Sequence, residues 1–118
     1  MQKVILLFIL GFGFIACDDI IEVVDISNKS VSILAPTENS AIDITLVTFS
    51  WNPVEDAESY HLQIATPSFE NAIQILEDTL ITKKNFTKTL EAANYQWRIR
   101  GENSNYQTPY VTTGFSVE

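Results

Sequence analysis

A single cysteine and a single histidine among 118 residues remove several classes of protein at the outset. One thiol cannot close a disulfide within the chain, and one thiol with one imidazole is too small a set for a Cys/His metal site. Glycine and proline, four of each, are too sparse for collagen-like or linker-type repeats. Basic residues are also few. Seven Lys and Arg stand against fifteen Asp and Glu, a formal charge of −8, which opposes association with nucleic acid or anionic lipid. There is no glycine-rich phosphate loop, no serine or cysteine elbow and no EF-hand-like spacing of oxygen ligands. The sequence therefore implies no cofactor, no metal and no enzyme. Its length allows one domain.

The N-terminus reads as an address. Met1 to Lys3 give a basic start, and Val4 to Ala16 follow as an uninterrupted apolar run before the acidic Asp18. This run is shorter than the about 20 residues that a membrane-crossing helix needs, and it suits the apolar region of a signal peptide. Ordinary signal peptidase takes small residues at the third and first positions before its cut. Before Cys17 these are Phe14 and Ala16, and Phe14 is too large.

Phe14-Ile15-Ala16-Cys17 resembles a bacterial lipobox, departing from its commonest form at Phe14 and Ile15, where Leu and Ser or Ala are usual. The resemblance implies that residues 1–16 are removed and that the Cys17 thiol receives a diacylglyceryl group. The new amine would then be acylated, with palmitate or a similar chain. Two or three chains anchor a protein stably where one binds only marginally, so the expected location is the bacterial outer membrane. Asp18, Asp19 and Glu22 resemble the export signal of surface-exposed lipoproteins. In other lineages Asp after the cysteine resembles an inner-membrane retention signal, and the plainest reading is a solvated tether. Export to the cell exterior is the expectation. Residues 17–29 then form an acidic, lipidated tether, and 30–118 the domain.

Past the tether the pattern is period two, with turn residues at intervals. Val31 and Ile33 alternate with serines until Pro36–Ser40; Val47, Phe49 and Trp51 alternate until Asn52-Pro53; Tyr60, Leu62 and Ile64 alternate until Thr66-Pro67. Ile73 and Ile75 come next, followed by a polar stretch through Glu77 and Asp78. Phe86 and Leu90 flank a short strand, Tyr95, Trp97 and Ile99 alternate with Gln96, Arg98 and Arg100, and Phe115 and Val117 finish the chain. About seven short strands, each with one apolar face, predict an all-β antiparallel sandwich of immunoglobulin-like form.

Thr48–Val54 with Ala57 and Tyr60 resembles strands B and C of fibronectin type III domains. Leu90, Tyr95, Trp97–Arg100 and Asn103 resemble the E–F corner and strand F. The resemblance implies that Tyr95 is a tyrosine corner, its hydroxyl bonded to backbone near Leu90.

His61 falls on the outward phase of its strand, with no nucleophile or orienting group nominated beside it, so it reads as a surface histidine. Trp51, Tyr60, Tyr95 and Trp97 fall on inward phases and read as core. Phe69, Tyr106 and Tyr110 fall in loops, the last two in the F–G loop, and are the candidates for ligand or partner contact. Arg98 and Arg100 share an outward face, where cross-strand pairing with acids is expected. Two functions fit: a non-enzymatic surface module for adhesion or assembly with a protein partner, and a glycan-binding accessory for polysaccharide capture.

Overall fold

Alternating burial decides where the strands lie. The computed structural model describes residues 22–118. Cys17, Asp18 and Asp19, and with them the expected lipid anchor and the start of the export signal, lie outside these residues. Glu22 is within them and exposed.

Among the described residues, eight strands form two sheets. The first has the order β1–β3–β6, from Ser32–Ala35, Leu46–Asn52 and Asn85–Thr89. The second has the order β2–β8–β7–β4–β5, from Ser40–Ile42, Val111–Val117, Ala93–Glu102, Ser59–Thr66 and Gln74–Ile81. Pairing is antiparallel except between β2 and β8. The fold is an all-β immunoglobulin-like sandwich.

The core sits where the inward residues of the two sheets meet. Val47, Phe49 and Trp51 of β3 pack against Leu62 and Ile64 of β4, Trp97 and Ile99 of β7 and Phe115 of β8, all buried. The Phe49 ring stands edge-on to Trp97 at 5.0 Å and to Phe115 at 5.7 Å, the geometry that aromatic quadrupoles favour. Tyr60 is buried beside Trp51, and its hydroxyl accepts a hydrogen bond from the Val54 amide at 2.7 Å. Trp97 donates from Nε1 to the Pro36 carbonyl at 3.2 Å. Trp51 Nε1 is buried without an acceptor.

Three features depart from the expected strand pattern. A short β2 follows the Pro36–Ser40 turn and crosses to the second sheet. Asn39, in the left-handed region at φ 64°, donates its amide to the Gly114 carbonyl at 2.7 Å, which fastens that crossing. The strand beginning near Ile75 runs on through Glu77 and Asp78 to Ile81. It tolerates these acids because β5 is the edge of its sheet, and Glu77 reaches Lys88 of β6 at 3.2 Å. Ile26, in the stretch expected to be tether, is wholly buried. The folded unit therefore includes residues before 30.

The corner after Leu90 is closed by Tyr95. Its hydroxyl donates to the Glu91 carbonyl at 2.6 Å, and its ring stacks on Phe115 at 5.4 Å. Burial raises the phenol's pKa above its ordinary value. Tyr95→Phe keeps the ring and removes this bond, so a loss of about 1 kcal/mol is expected in denaturant titration. No change would mean that the hydroxyl does not hold the corner.

Candidate interaction surface

Because Tyr95, Trp97, Ile99 and Gly101 of β7 point inward, Gln96, Arg98, Arg100 and Glu102 point out across the five-stranded sheet. His61 and Gln63 of β4 stand beside them, through the register His61↔Arg100 and Gln63↔Arg98. Asp78 of β5 lies opposite Gln63. Two loop aromatics are laid over this row.

Phe69 comes from the loop between β4 and β5. Its amide donates to Gln96 Oε1 at 2.9 Å, and the loop is closed by Ile73 N to Thr66 O at 2.8 Å. Tyr110 comes from the loop between β7 and β8. That loop is fastened by the buried Thr108, whose amide donates to Gly101 O and whose Oγ1 accepts from Gly101 N, both at 2.9 Å. The result is a stack. The Arg98 guanidinium lies 4.2 Å from the Phe69 ring centre and 4.6 Å from that of Tyr110, and Arg100 lies 4.6 Å from Tyr110. Each cation–π contact contributes about 0.5–2 kcal/mol according to its desolvation.

Hydrogen bonds fix the remaining edges. Arg98 donates from Nε to Gln63 Oε1 at 2.6 Å, and Arg100 from Nε to Glu102 Oε2 at 2.8 Å. Arg100 thus meets the acid expected of it, but two positions along its own strand. Arg98 meets an amide instead. His61 bonds Asp78 through Nε2, while Nδ1 faces the Tyr110 hydroxyl at 3.2 Å. The neutral tautomer with its proton on Nε2 serves both partners.

Tyr110, His61 and Asp78 stand in the order of an acid–base relay, but they lie on an open sheet face. The Asp78 side chain is 56% exposed, so water screens its charge and the site lacks the low-dielectric enclosure that makes such a relay reactive. Structurally the three side chains form a clamp across β5, β4 and the loop carrying Tyr110. The hydrogen bond from His61, and then one from Gln63, hold the Asp78 carboxyl below its ordinary pKa. A depressed folded-state value contributes stability above the ordinary aspartate range, and that stability is lost as pH falls through it. Denaturation midpoints followed from about pH 6 to about pH 2 should therefore fall less steeply for Asp78→Asn than for the parent. Superimposable acid limbs would show that the clamp adds no stability.

Of the three loop aromatics, two join this cluster. Tyr106 does not: among the described residues no hydrogen bond or ring contact links it to the stack, and its amide donates to Asn103 Oδ1 at 2.9 Å in a separate turn. The sequence reading had Arg98 and Arg100 on the right face, but it could not find the stack, because nothing local ties Phe69 to Arg98. A groove of about 360 Å³ continues along the same face, with Asn39, Ser40, Asn94, Gln96, Gly114 and Ser116 in its walls.

Neither a protein-family model nor a curated protein sequence matches the chain. Solved structures do. The Clostridium thermocellum CbhA fibronectin(III)-like modules superpose with a TM-score of 0.54 at 8% identity, over 75% of this chain and 95% of theirs. The fn3 domain of human collagen alpha-1(XX) chain gives 0.56 at 11%, over 74% and 85%. An Fn3-like protein from Clostridium thermocellum gives 0.51 at 18%, over 75% and 88%. At these identities the likeness establishes the fold alone, and that fold is fibronectin type III-like.

Proposed function

We propose that the protein is a non-catalytic lipoprotein, anchored by Cys17 to the outer membrane and facing the cell exterior, that binds a partner through the outer face of its five-stranded sheet. The observation that carries the binding face is the stack itself. Two loops from opposite ends of the sheet are fastened so that their rings lie against arginines on its outer face.

Anchoring rests on the lipobox-like Phe14–Cys17. Among the described residues no helix is long and apolar enough to cross a membrane. The chain leaves the sandwich where the Asn103 side chain donates both to Val24 O at 2.9 Å and to Asp56 O at 3.2 Å. The link from Glu22 back to Cys17 spans at most about 18 Å. A lipid on Cys17 therefore keeps the pole bearing the β3–β4 and β7–β8 loops close to the bilayer, and leaves the sheet face open sideways.

Cys17→Ala should abolish incorporation of labelled fatty acid and release the protein from membranes, since the chain has no other thiol. Retention with the normal mature mass would defeat the lipoprotein reading. Replacing Asp18, Asp19 and Glu22 with Ala should leave acylation intact and reduce cleavage by protease added outside whole cells. Unchanged surface cleavage would reduce these acids to a tether.

Glycan capture is the second reading. It is favoured by the groove along Gln96, whose amide and hydroxyl walls suit a polyol.

A further inference from the structure

Arg98 is half-buried in a chain with a large excess of acids, yet among the described residues no carboxylate lies within ion-pair distance of it. Arg100, by contrast, has Glu102. The Arg98 guanidinium lies over both the Phe69 and the Tyr110 rings, and its Nε is committed to Gln63. What remains is the edge carrying Nη1 and Nη2. Neither nitrogen has a hydrogen-bond partner among the described residues, and neither is buried. An arginine held in this way has already lost its rotamer freedom and presents the fork that fits a carboxylate with two parallel hydrogen bonds.

The neighbouring surface indicates what carries that carboxylate. A protein partner gains most of its affinity from desolvated apolar anchors. Here the guanidiniums of Arg98 and Arg100 already occupy the rings, and the exposed Leu80 opposite His61 stands on the edge strand β5, across the sheet from the groove. The groove that starts at Gln96, two residues along β7 from Arg98, instead offers amides and hydroxyls, from Asn39, Ser40, Asn94, Gln96 and Ser116. The only acid lining it, Glu38, accepts the Gly114 amide at 2.7 Å. Gly114, which faces Gln96 in the register, adds no side chain of its own between those of Gln96 and Glu38.

We propose that this face binds an acidic saccharide, with Arg98 receiving the carboxylate of a uronic acid-type residue and the groove receiving the hydroxyls of its neighbours. The proposal rests on the glycan reading above and narrows it to one class. The chain's net charge of −8 repels polyanions at long range, so non-specific attraction does not mimic such binding.

The full chain in detergent micelles, tested on an array of neutral, carboxylated and sulfated oligosaccharides and on poly-glutamate, separates the outcomes. Binding confined to carboxylated glycans is expected, and Arg98→Gln should weaken it at least tenfold at a temperature where the variant, which loses two ring contacts, is still folded. Arg98→Lys keeps the charge without the fork and should remain several-fold weaker than the parent. If Arg98→Gln fails to fold, the Lys variant serves as the test. Neutral glycans bound equally well, with no effect of either variant, would overturn the role of Arg98 and leave glycan capture standing. Binding of no glycan would overturn both. Equal binding of sulfated glycans or poly-glutamate would overturn the carboxylated-sugar class.

Discussion

Trp51→Ala should lower the stability of the domain by about 3–5 kcal/mol, the cost of deleting a large buried aromatic whose neighbours cannot close the space. Trp51 is 1% exposed between Tyr60, at 5.6 Å, and Trp97, at 6.3 Å. Both rings are pinned by hydrogen bonds, from Val54 N to Tyr60 and from Trp97 to Pro36 O, so collapse into the gap is resisted. Trp51→Phe is the informative companion. It loses ring volume but also removes an indole N–H that is buried without an acceptor, a group whose desolvation costs about 1–3 kcal/mol. The phenylalanine variant should therefore lose well under half of what alanine loses in denaturant titration. An alanine loss below about 1 kcal/mol would remove Trp51 from the core.

Ile26→Ala should cost about 2–5 kcal/mol, as for other buried isoleucines. A tether residue would change stability by no more than about 0.5 kcal/mol. The contrast tests whether the folded unit begins before residue 30. Ile26 has no exposed surface, Lys29 N donates to its carbonyl at 2.9 Å, and Lys29 Nζ lies 3.7 Å from Asp56. A null result by thermal or chemical unfolding would return this stretch to the tether. The distinction matters for the proposed display, because with a lipid on Cys17 a docked segment would shorten the free link and set which pole of the sandwich adjoins the membrane.

Why Ile26 escaped a reading of the sequence is physical. A buried strand announces itself through repetition: Val47, Phe49 and Trp51, or Tyr95, Trp97 and Ile99, carry the same sign at every second position, and each adds to the signal. Ile26 stands among Asp25, Ser27 and Asn28, and its one apolar neighbour in phase, Val24, is itself exposed, with Glu22 and Asn28 at the next steps. Its burial is decided by the shape of the domain's pole. The strand through Glu77 and Asp78 was hidden for a related reason. At a sheet edge a strand need bury little, so its polar residues break the alternation without breaking the strand.

The candidate site divides the same way. Outward placement of His61, Arg98 and Arg100 follows from alternation alone, since one residue's phase fixes the next. Loop position likewise marks Phe69, Tyr106 and Tyr110 as aromatics free to reach elsewhere, without separating Tyr106, which stays in its own turn, from the other two. Their destinations depended on strand register and on loop closure. The pairing Gln63↔Arg98 and the fastening of the Tyr110 loop at Thr108 connect residues far apart in sequence. Only the tertiary structure could decide that Arg98, rather than either ring, is the group presented at the centre of that face. Periodicity, a local property, is enough to give the sandwich, its aromatic core and the face from which the arginines project. The stack, the groove and the docked Ile26 arise from contacts across the sheet and at its pole, where local pattern carries no information.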